Sequence, residues 1–338
     1  MKKIVLLATA ILSFMPGYAQ MRMNFGTDGK FRILQITDLH IKPSEGKSDI
    51  VFESIDALLT HEKPDLIAFT GDIVYDTPAR PIWEDFIAYV EAKGIPWTLV
   101  FGNHDREFGM TNAAIMEMLV KAKHALLEAG PEEVSGVGNF VIELAPAGSE
   151  TPSNVMYFMD SHRQSHIAGL KGYGWIDHTQ IAWYRAQSQK YGLPAVAFFH
   201  IPLREFREAA LQRKIGNRLE EECASELNSG LFTAMMEQGD VSGIFVGHEH
   251  DNDYITEHHG IALAYGRMTG SRSIYGKLPR GGRVIVLTEG QPGFETYIRQ
   301  ADGEVLYRCS HPGIFERETD NEKTIEELLR ETNPEMFE

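Results

Sequence analysis

Asp38 and His40, Asp72, Asn103 followed by His104 and Asp105, the single His200, and the pair His248 and His250 are the residues whose types and spacing can do chemistry in this chain. Carboxylate, amide and imidazole groups together form a mixed oxygen and nitrogen donor set that suits a divalent metal. Each member stands directly after a short apolar run. Residues two apart share a face while the chain is extended, but in a turn just past a strand such a pair converges, so Asp38 with His40, and His248 with His250, can each serve one centre. Gly71, Gly102 and Gly247 immediately precede Asp72, Asn103 and His248. Having no Cβ, they let backbone crowd toward that centre, and Gly102 permits a tight, left-handed exit from its strand.

The elements that must position these groups follow from hydrophobic period. Residues 31–37, 65–69 and 97–101 read as buried strands, separated by apolar residues at helical spacing over 51–60 and 82–93. This is the pattern of a right-handed, parallel-stranded unit whose ligands gather at the carboxyl ends of the strands. A long helix is expected over 111–128. Residues 139–144 and 155–159 read as a hairpin that begins a second, partly antiparallel sheet. A helix over 177–191 capped by Asp177, strands at 195–199 and 242–246, and a helix at 231–237 follow. Strands at 261–265, 283–288 and 294–299 are expected to complete the second sheet, with 304–307 as a further strand. The fold class is α/β: two packed mixed β-sheets flanked by helices, in one domain spanning 20–310.

The ends of the chain read differently. Residues 1–19 combine Lys2 and Lys3 with a short apolar stretch and small residues at 17 and 19, the pattern of a secretory signal peptide too short to span a membrane. No later run approaches the ~20 apolar residues of a membrane helix. An exported protein, periplasmic or secreted, is expected. Residues 311–338 form an acidic tail with one helix near 324–330. The 338-residue chain carries a net charge of −16, or −18 once Lys2 and Lys3 leave with the leader. Such a chain repels polyanions, which argues against a nucleic-acid polymer as partner and leaves a small phosphorylated substrate open, since a local metal site reverses the field.

The motif order D-x-H, G-D, G-N-H-D, a lone His, then G-H-x-H resembles that of the calcineurin-like metallophosphoesterases over roughly residues 30–290. Here the motifs stand as Asp38-Leu39-His40, Gly71-Asp72, Gly102-Asn103-His104-Asp105, His200 and Gly247-His248-Glu249-His250. Residues 157–161, 172–176 and 198–203, with Asn252-Asp253, resemble the purple-acid-phosphatase-related single-domain branch. The resemblance implies an αββα sandwich and two metal ions, iron, manganese or zinc. Asp38, His40 and His250 would hold the first, Asn103, His200 and His248 the second, and Asp72 would bridge them. A hydroxide shared by the ions would attack phosphorus in line. His104 would protonate the leaving oxygen or stabilise the phosphoryl oxygens, and Asp105 would orient or pair with that imidazole. A phosphomonoesterase is the leading expectation. A phosphodiesterase on nucleotides or lipid head groups and a scaffold that has lost activity are the alternatives.

Tyr75 completes a G-D-x-x-Y pattern that binds ferric iron in true purple acid phosphatases, which lack a His at the position of His40. Here Tyr75 is either a ligand or a ring packed beside the site. Residues 161–174 form a long polar loop that either roofs the site or lies exposed. Arg163, Arg204 and Arg267 are each a phosphate clamp or an ordinary charge, and Glu220-Glu221-Glu222 reads as a solvated helix face. Cys223 and Cys309 form one disulfide or remain as two buried thiols.

Overall fold

The computed structural model describes residues 21–315, so the signal peptide expected at 1–19 and the helix expected near 324–330 lie outside the described residues. Two β-sheets lie face to face. One contains β2 (Lys30–Ile36), β3 (Leu66–Thr70) and β4 (Trp97–Val100) in parallel, connected through α1 (Ser48–Glu62) and α2 (Ala79–Glu91). The other runs in the order β1 (Arg22–Asn24), β5 (Phe140–Ala145), β6 (Asn154–Phe158), β7 (Ala195–Phe198), β8 (Val241–Val246), β10 (Ile261–Tyr265) and β9 (Ile255–His258). The β5–β6 pair is the antiparallel hairpin expected, and β6, β7 and β8 run parallel.

Strand alternation builds the two sides of this second sheet. Phe158, Phe198 and Phe245 point inward and stack at 4.9 and 5.3 Å between ring centres, and Phe245 meets Phe294 of the opposite sheet at 5.0 Å. Their neighbours Tyr157, Ala197 and Ile244 point outward into a separate cluster beneath α4 (His178–Tyr191) and α6 (Leu231–Gln238). Period-two burial on both faces is what near-continuous apolar strands encode. Asp177 caps α4 through a capping box with Gln180, as its position predicted.

Four expectations are corrected. Strand β10 does join the second sheet, but β11 (Gly281–Thr288), β12 (Phe294–Gln300) and β13 (Val305–His311) return to the first, where β11 pairs antiparallel with β2. Sheet membership is set by which edge is open, and β2 has a free edge opposite β3. The helix expected over 111–128 is short, α3 (Asn112–Leu119), with Thr111 as its N-cap. Beyond it the main chain leaves helical bonding to pair with β4: the Trp97 N–H donates to His124 and the Leu126 N–H donates to Trp97. Residues 204–228 contain one short helix, α5 (Glu205–Ala210), and Glu220-Glu221-Glu222 lies in the irregular stretch after it. Both cysteines are free thiols, but only Cys309 is buried; Cys223, expected to be buried as well, is exposed. Among the described residues no helix is long and apolar enough to cross a membrane.

Candidate metal centre

The carboxyl ends of β2, β3 and β4 in one sheet and of β7 and β8 in the other meet at one edge of the sandwich. Main-chain pairing continues past the strand ends: the Asp38 N–H donates to Gly71 and the His40 N–H to Asp72. Across the sheets, the His248 N–H donates to the Asp38 carboxylate at 3.2 Å, and His200 Nδ1 lies 2.7 Å from the Thr70 carbonyl. The backbone here is bent hard. Asp38, His40, Asp72 and His248 all take positive φ, 55°, 45°, 57° and 83°. Non-glycine residues reach that region at a cost of ~1–3 kcal/mol each, a strain that marks functional sites.

Gly71 is left-handed at φ 90°, whereas Gly102, expected to be, is not. Gly102 is required for space, since a Cβ there would overlap the Asp72 carboxylate.

The side chains, all buried except the half-buried His104, converge as three groups whose ligand atoms lie within 4.8 Å of one another: Asp38, His40 and His250; His40, Asp72 and His104; and Asp72, His200 and His248. Asp72 is common to two of them. Its Oδ2 lies 3.3 Å from His40 Nε2 and 3.3 Å from His200 Nε2. Asn103 Oδ1 lies 3.1 Å from His200 Nε2, which puts the amide beside the last group. His250 Nδ1 donates to the Tyr275 carbonyl at 3.0 Å, leaving Nε2 toward Asp38 at 3.7 Å.

Electrostatics sort these groups. Burial acts against the Asp72 carboxylate, but His200 and His40 outweigh it and hold its pKa well below the usual carboxylate range. Burial likewise opposes charge on His200, yet the Asp72 and Asp38 carboxylates push its pKa up to about 10. His40, His248 and His250 are pushed down, in each case chiefly by burial, and so offer neutral nitrogens. His40 Nε2 and His248 Nε2 are buried with no hydrogen-bond partner. Buried polar atoms are normally paired. Orphaned imidazole nitrogens beside two buried carboxylates are a donor set that fits two metal ions.

The sequence matches this geometry. The model of the calcineurin-like phosphoesterases fits residues 31–252. The chain belongs to the calcineurin-like phosphoesterase family. It is 33% identical to a probable inactive purple acid phosphatase 29 of Arabidopsis thaliana, covering 83% of each chain. It is 31% identical to phosphatase DCR2 of Saccharomyces cerevisiae over 69% of this chain and 46% of that protein. The fold is shared with a dimetal phosphatase from Danio rerio, at a TM-score of 0.56 and 10% identity, over 83% of this chain and 98% of that one.

Within this calcineurin-like phosphoesterase, Asp105 does not do what its place beside His104 suggested. Its carboxylate turns inward and accepts the N–H groups of Gly102 at 2.8 Å, Ile73 at 2.7 Å, Asp72 at 3.1 Å and Val74 at 3.3 Å. It staples the loops after β3 and β4 together. Burial and the nearby Asp72 charge push its pKa up to about 7. His104 Nδ1 instead meets Glu107 Oε2 at 2.8 Å. Tyr75 sets its ring against His40 and His104, with centres 5.4 and 4.9 Å apart and planes at 85° and 88°. That is aromatic packing beside the site.

The loop at 161–174 touches the centre. Tyr173 meets the His248 ring edge-on at 4.4 Å, and Arg163 donates to Glu107 at 2.5 Å. Arg267 is no phosphate clamp: it is buried in an ion pair with Asp253, its Nε donating at 2.7 Å. Arg204 is spent on the Glu226 carbonyl. The three glutamates form no helix face. Glu222 is buried against Arg218 and Tyr254. Glu220 accepts the Tyr275 hydroxyl at 2.9 Å, and Tyr275 stacks on His250 at 4.0 Å. Glu107, Tyr173 and Tyr275 are the site residues that sequence reasoning missed. Glu107 had a signal, an acid three residues past His104 in a tight turn, and Tyr173 lay in the 161–174 loop that could roof the site; Tyr275 had none.

Proposed function

We propose that this protein is an exported phosphomonoesterase that works with two metal ions, iron, manganese or zinc. The observation that carries the reading is Asp72, equidistant at 3.3 Å from an imidazole of each donor group. Asp38, His40 and His250 would hold one ion, Asn103, His200 and His248 the other, and Asp72 would offer an oxygen to each. Such ions supply Lewis acidity, neutralising charge on phosphoryl oxygens and acidifying water at the centre. The chain's own groups do the rest. His104, anchored by its N–H on Asp72 Oδ1 at 2.8 Å, hands a proton to the leaving oxygen. Tyr75, Tyr173 and Tyr275 wall the imidazoles and limit water. The leader at 1–19 sends the protein to the periplasm or outside the cell.

The names of the Arabidopsis thaliana relatives, probable inactive phosphatases, favour a second reading, a metal-binding protein without turnover. Against it stands the full set of seven donors together with His104. The deciding experiment loads mature protein separately with Mn, Zn and Fe and compares a chromogenic phosphate monoester with a diester. A dominant monoester rate that Asp72→Ala abolishes supports the phosphomonoesterase. A dominant diester rate replaces it with a phosphodiesterase, and bound metal with no rate on either ester transfers the case to the binding protein. His104→Ala should keep both ions and lose most of the turnover.

A further inference from the structure

We propose that Glu107 is the positioning residue for His104, and that Arg163 of the covering loop holds Glu107 in place for it. The inference rests on the phosphoesterase reading, in which His104 gives a proton to the leaving oxygen.

Three contacts fix the imidazole. The His104 main-chain N–H donates to Asp72 and fixes the turn that carries the ring. Its ring edge is held by Tyr75. Its Nδ1 stands 2.8 Å from Glu107 Oε2. The Glu107 N–H donates back to the His104 carbonyl at 3.0 Å, so both residues sit in one tight turn and their side chains leave it on the same side. An ionised carboxylate only accepts hydrogen bonds, so Nδ1 must carry its hydrogen there. Nε2 is then the nitrogen left to the centre, where His104 shares a ligand group with His40 and Asp72.

The two oxygens of Glu107 are divided. Oε2 serves His104, and Oε1 takes the Arg163 guanidinium at 2.5 Å. Arg163 therefore fixes the carboxylate rotamer, and it comes from the same loop that sets Tyr173 against His248. Asp105 cannot substitute, because both its oxygens are committed to backbone N–H groups.

In the reaction, a water-derived oxygen bonds to phosphorus as the bond from phosphorus to the leaving oxygen breaks; that oxygen keeps the electron pair and takes the Nε2 proton of the His104 imidazolium, which leaves the Nδ1–H tautomer on Glu107. An alkoxide needs the proton and a nitrophenolate does not. The loss on removing Glu107 should therefore depend on the leaving group. We would measure kcat and KM of Glu107→Ala, Glu107→Gln and Arg163→Ala on glycerol phosphate and on p-nitrophenyl phosphate, with metal content. Expected for Glu107→Ala is a fall in kcat of about 10- to 100-fold on glycerol phosphate against less than about threefold on the nitrophenyl ester, at unchanged KM and metal. Glu107→Gln, which keeps an acceptor oxygen, should recover most of the loss, and Arg163→Ala should fall between. An equal fall on both esters overturns the proposal. Nitrogen NMR of His104 decides independently of turnover: the neutral ring of the wild type should be the Nδ1–H tautomer and that of Glu107→Ala a mixture. A wild-type Nε2–H tautomer overturns the proposal. Absence of turnover on both monoesters with the Nδ1–H tautomer present would sink the phosphomonoesterase reading and leave the Glu107–His104 pair standing.

Discussion

His200 stands with Nε2 3.3 Å from Asp72 Oδ2, both buried, between Thr70 on one side and the donor groups on the other. The pair is an internal ion pair, with the imidazole pushed up to about 10 by Asp72 and Asp38 against the effect of burial. A metal ion needs the neutral ring, so loading must expel that proton. His40, His248 and His250 are pushed down by burial and have none to give at neutral pH. Metal binding should release at least one proton per protein. Apparent affinity should tighten by about tenfold per pH unit between pH 6 and 9, below the His200 pKa. Calorimetry in buffers of different protonation enthalpy measures the proton directly. A binding heat independent of the buffer would remove His200 from the ligand set.

Asp105 separates a structural role from a chemical one. Replacing it by Asn turns an amide N–H₂ toward backbone donors and leaves buried N–H groups of Gly102, Ile73 or Asp72 unpaired. Each such loss costs ~1–3 kcal/mol, so Asp105→Asn should destabilise the folded protein by about 3 kcal/mol or more. His104→Ala, at a half-buried position, should cost little. Thermal unfolding of both variants checks the contrast, and equal midpoints would return Asp105 to the partnership with His104 that adjacency suggested.

The donor set was legible because each of its members follows an apolar strand that ends abruptly, and five such endings in order leave little freedom. The role of Asp105 was not. Adjacency to His104 says nothing about direction, and the backbone of the turn sends the two side chains opposite ways. The parallel unit β2 to β4 was legible from period, since its connections are local. Membership of β11 to β13 in the first sheet was not, because pairing over some 250 residues with β2 is decided by which edge remains open. Tyr173 and Tyr275 come from irregular loops, where no period links a residue to a face.

Gly102 gives a steric test of the centre. A methyl group there would occupy the place of the Asp72 carboxylate, and Gly71 lies close on the other side, so neither loop can retreat without parting from Asp105. Gly102→Ala should displace Asp72 and lose at least one of two bound ions. The contrasting change, Gly94→Ala, has open space but a left-handed backbone, so it should cost about 1 kcal/mol of stability and no metal. Metal analysis after desalting checks the difference. Full occupancy in Gly102→Ala would mean that the loops after β3 and β4 are less tightly joined than their hydrogen bonds imply.

Tyr75 decides how iron would look in this protein. Its ring lies edge-on to His40 and His104 and against Phe108 at 5.2 Å, with Lys42 5.5 Å from its centre. A phenol ionises at neutral pH only when a strongly acidic cation binds its oxygen. His40 already supplies a nitrogen to the donor group that Tyr75 would otherwise complete. The iron-loaded protein should therefore show no visible phenolate charge-transfer band, and Tyr75→Phe should bind the same amount of metal. The variant keeps the ring that seats His104, so kcat should change by less than about twofold, whereas Tyr75→Ala, which removes the aromatic pair, should lower it by about two- to tenfold, the ~0.5–1.5 kcal/mol of such a pair. A purple iron form that bleaches in Tyr75→Phe would make Tyr75 a ligand and require the ring to turn toward the ion on loading.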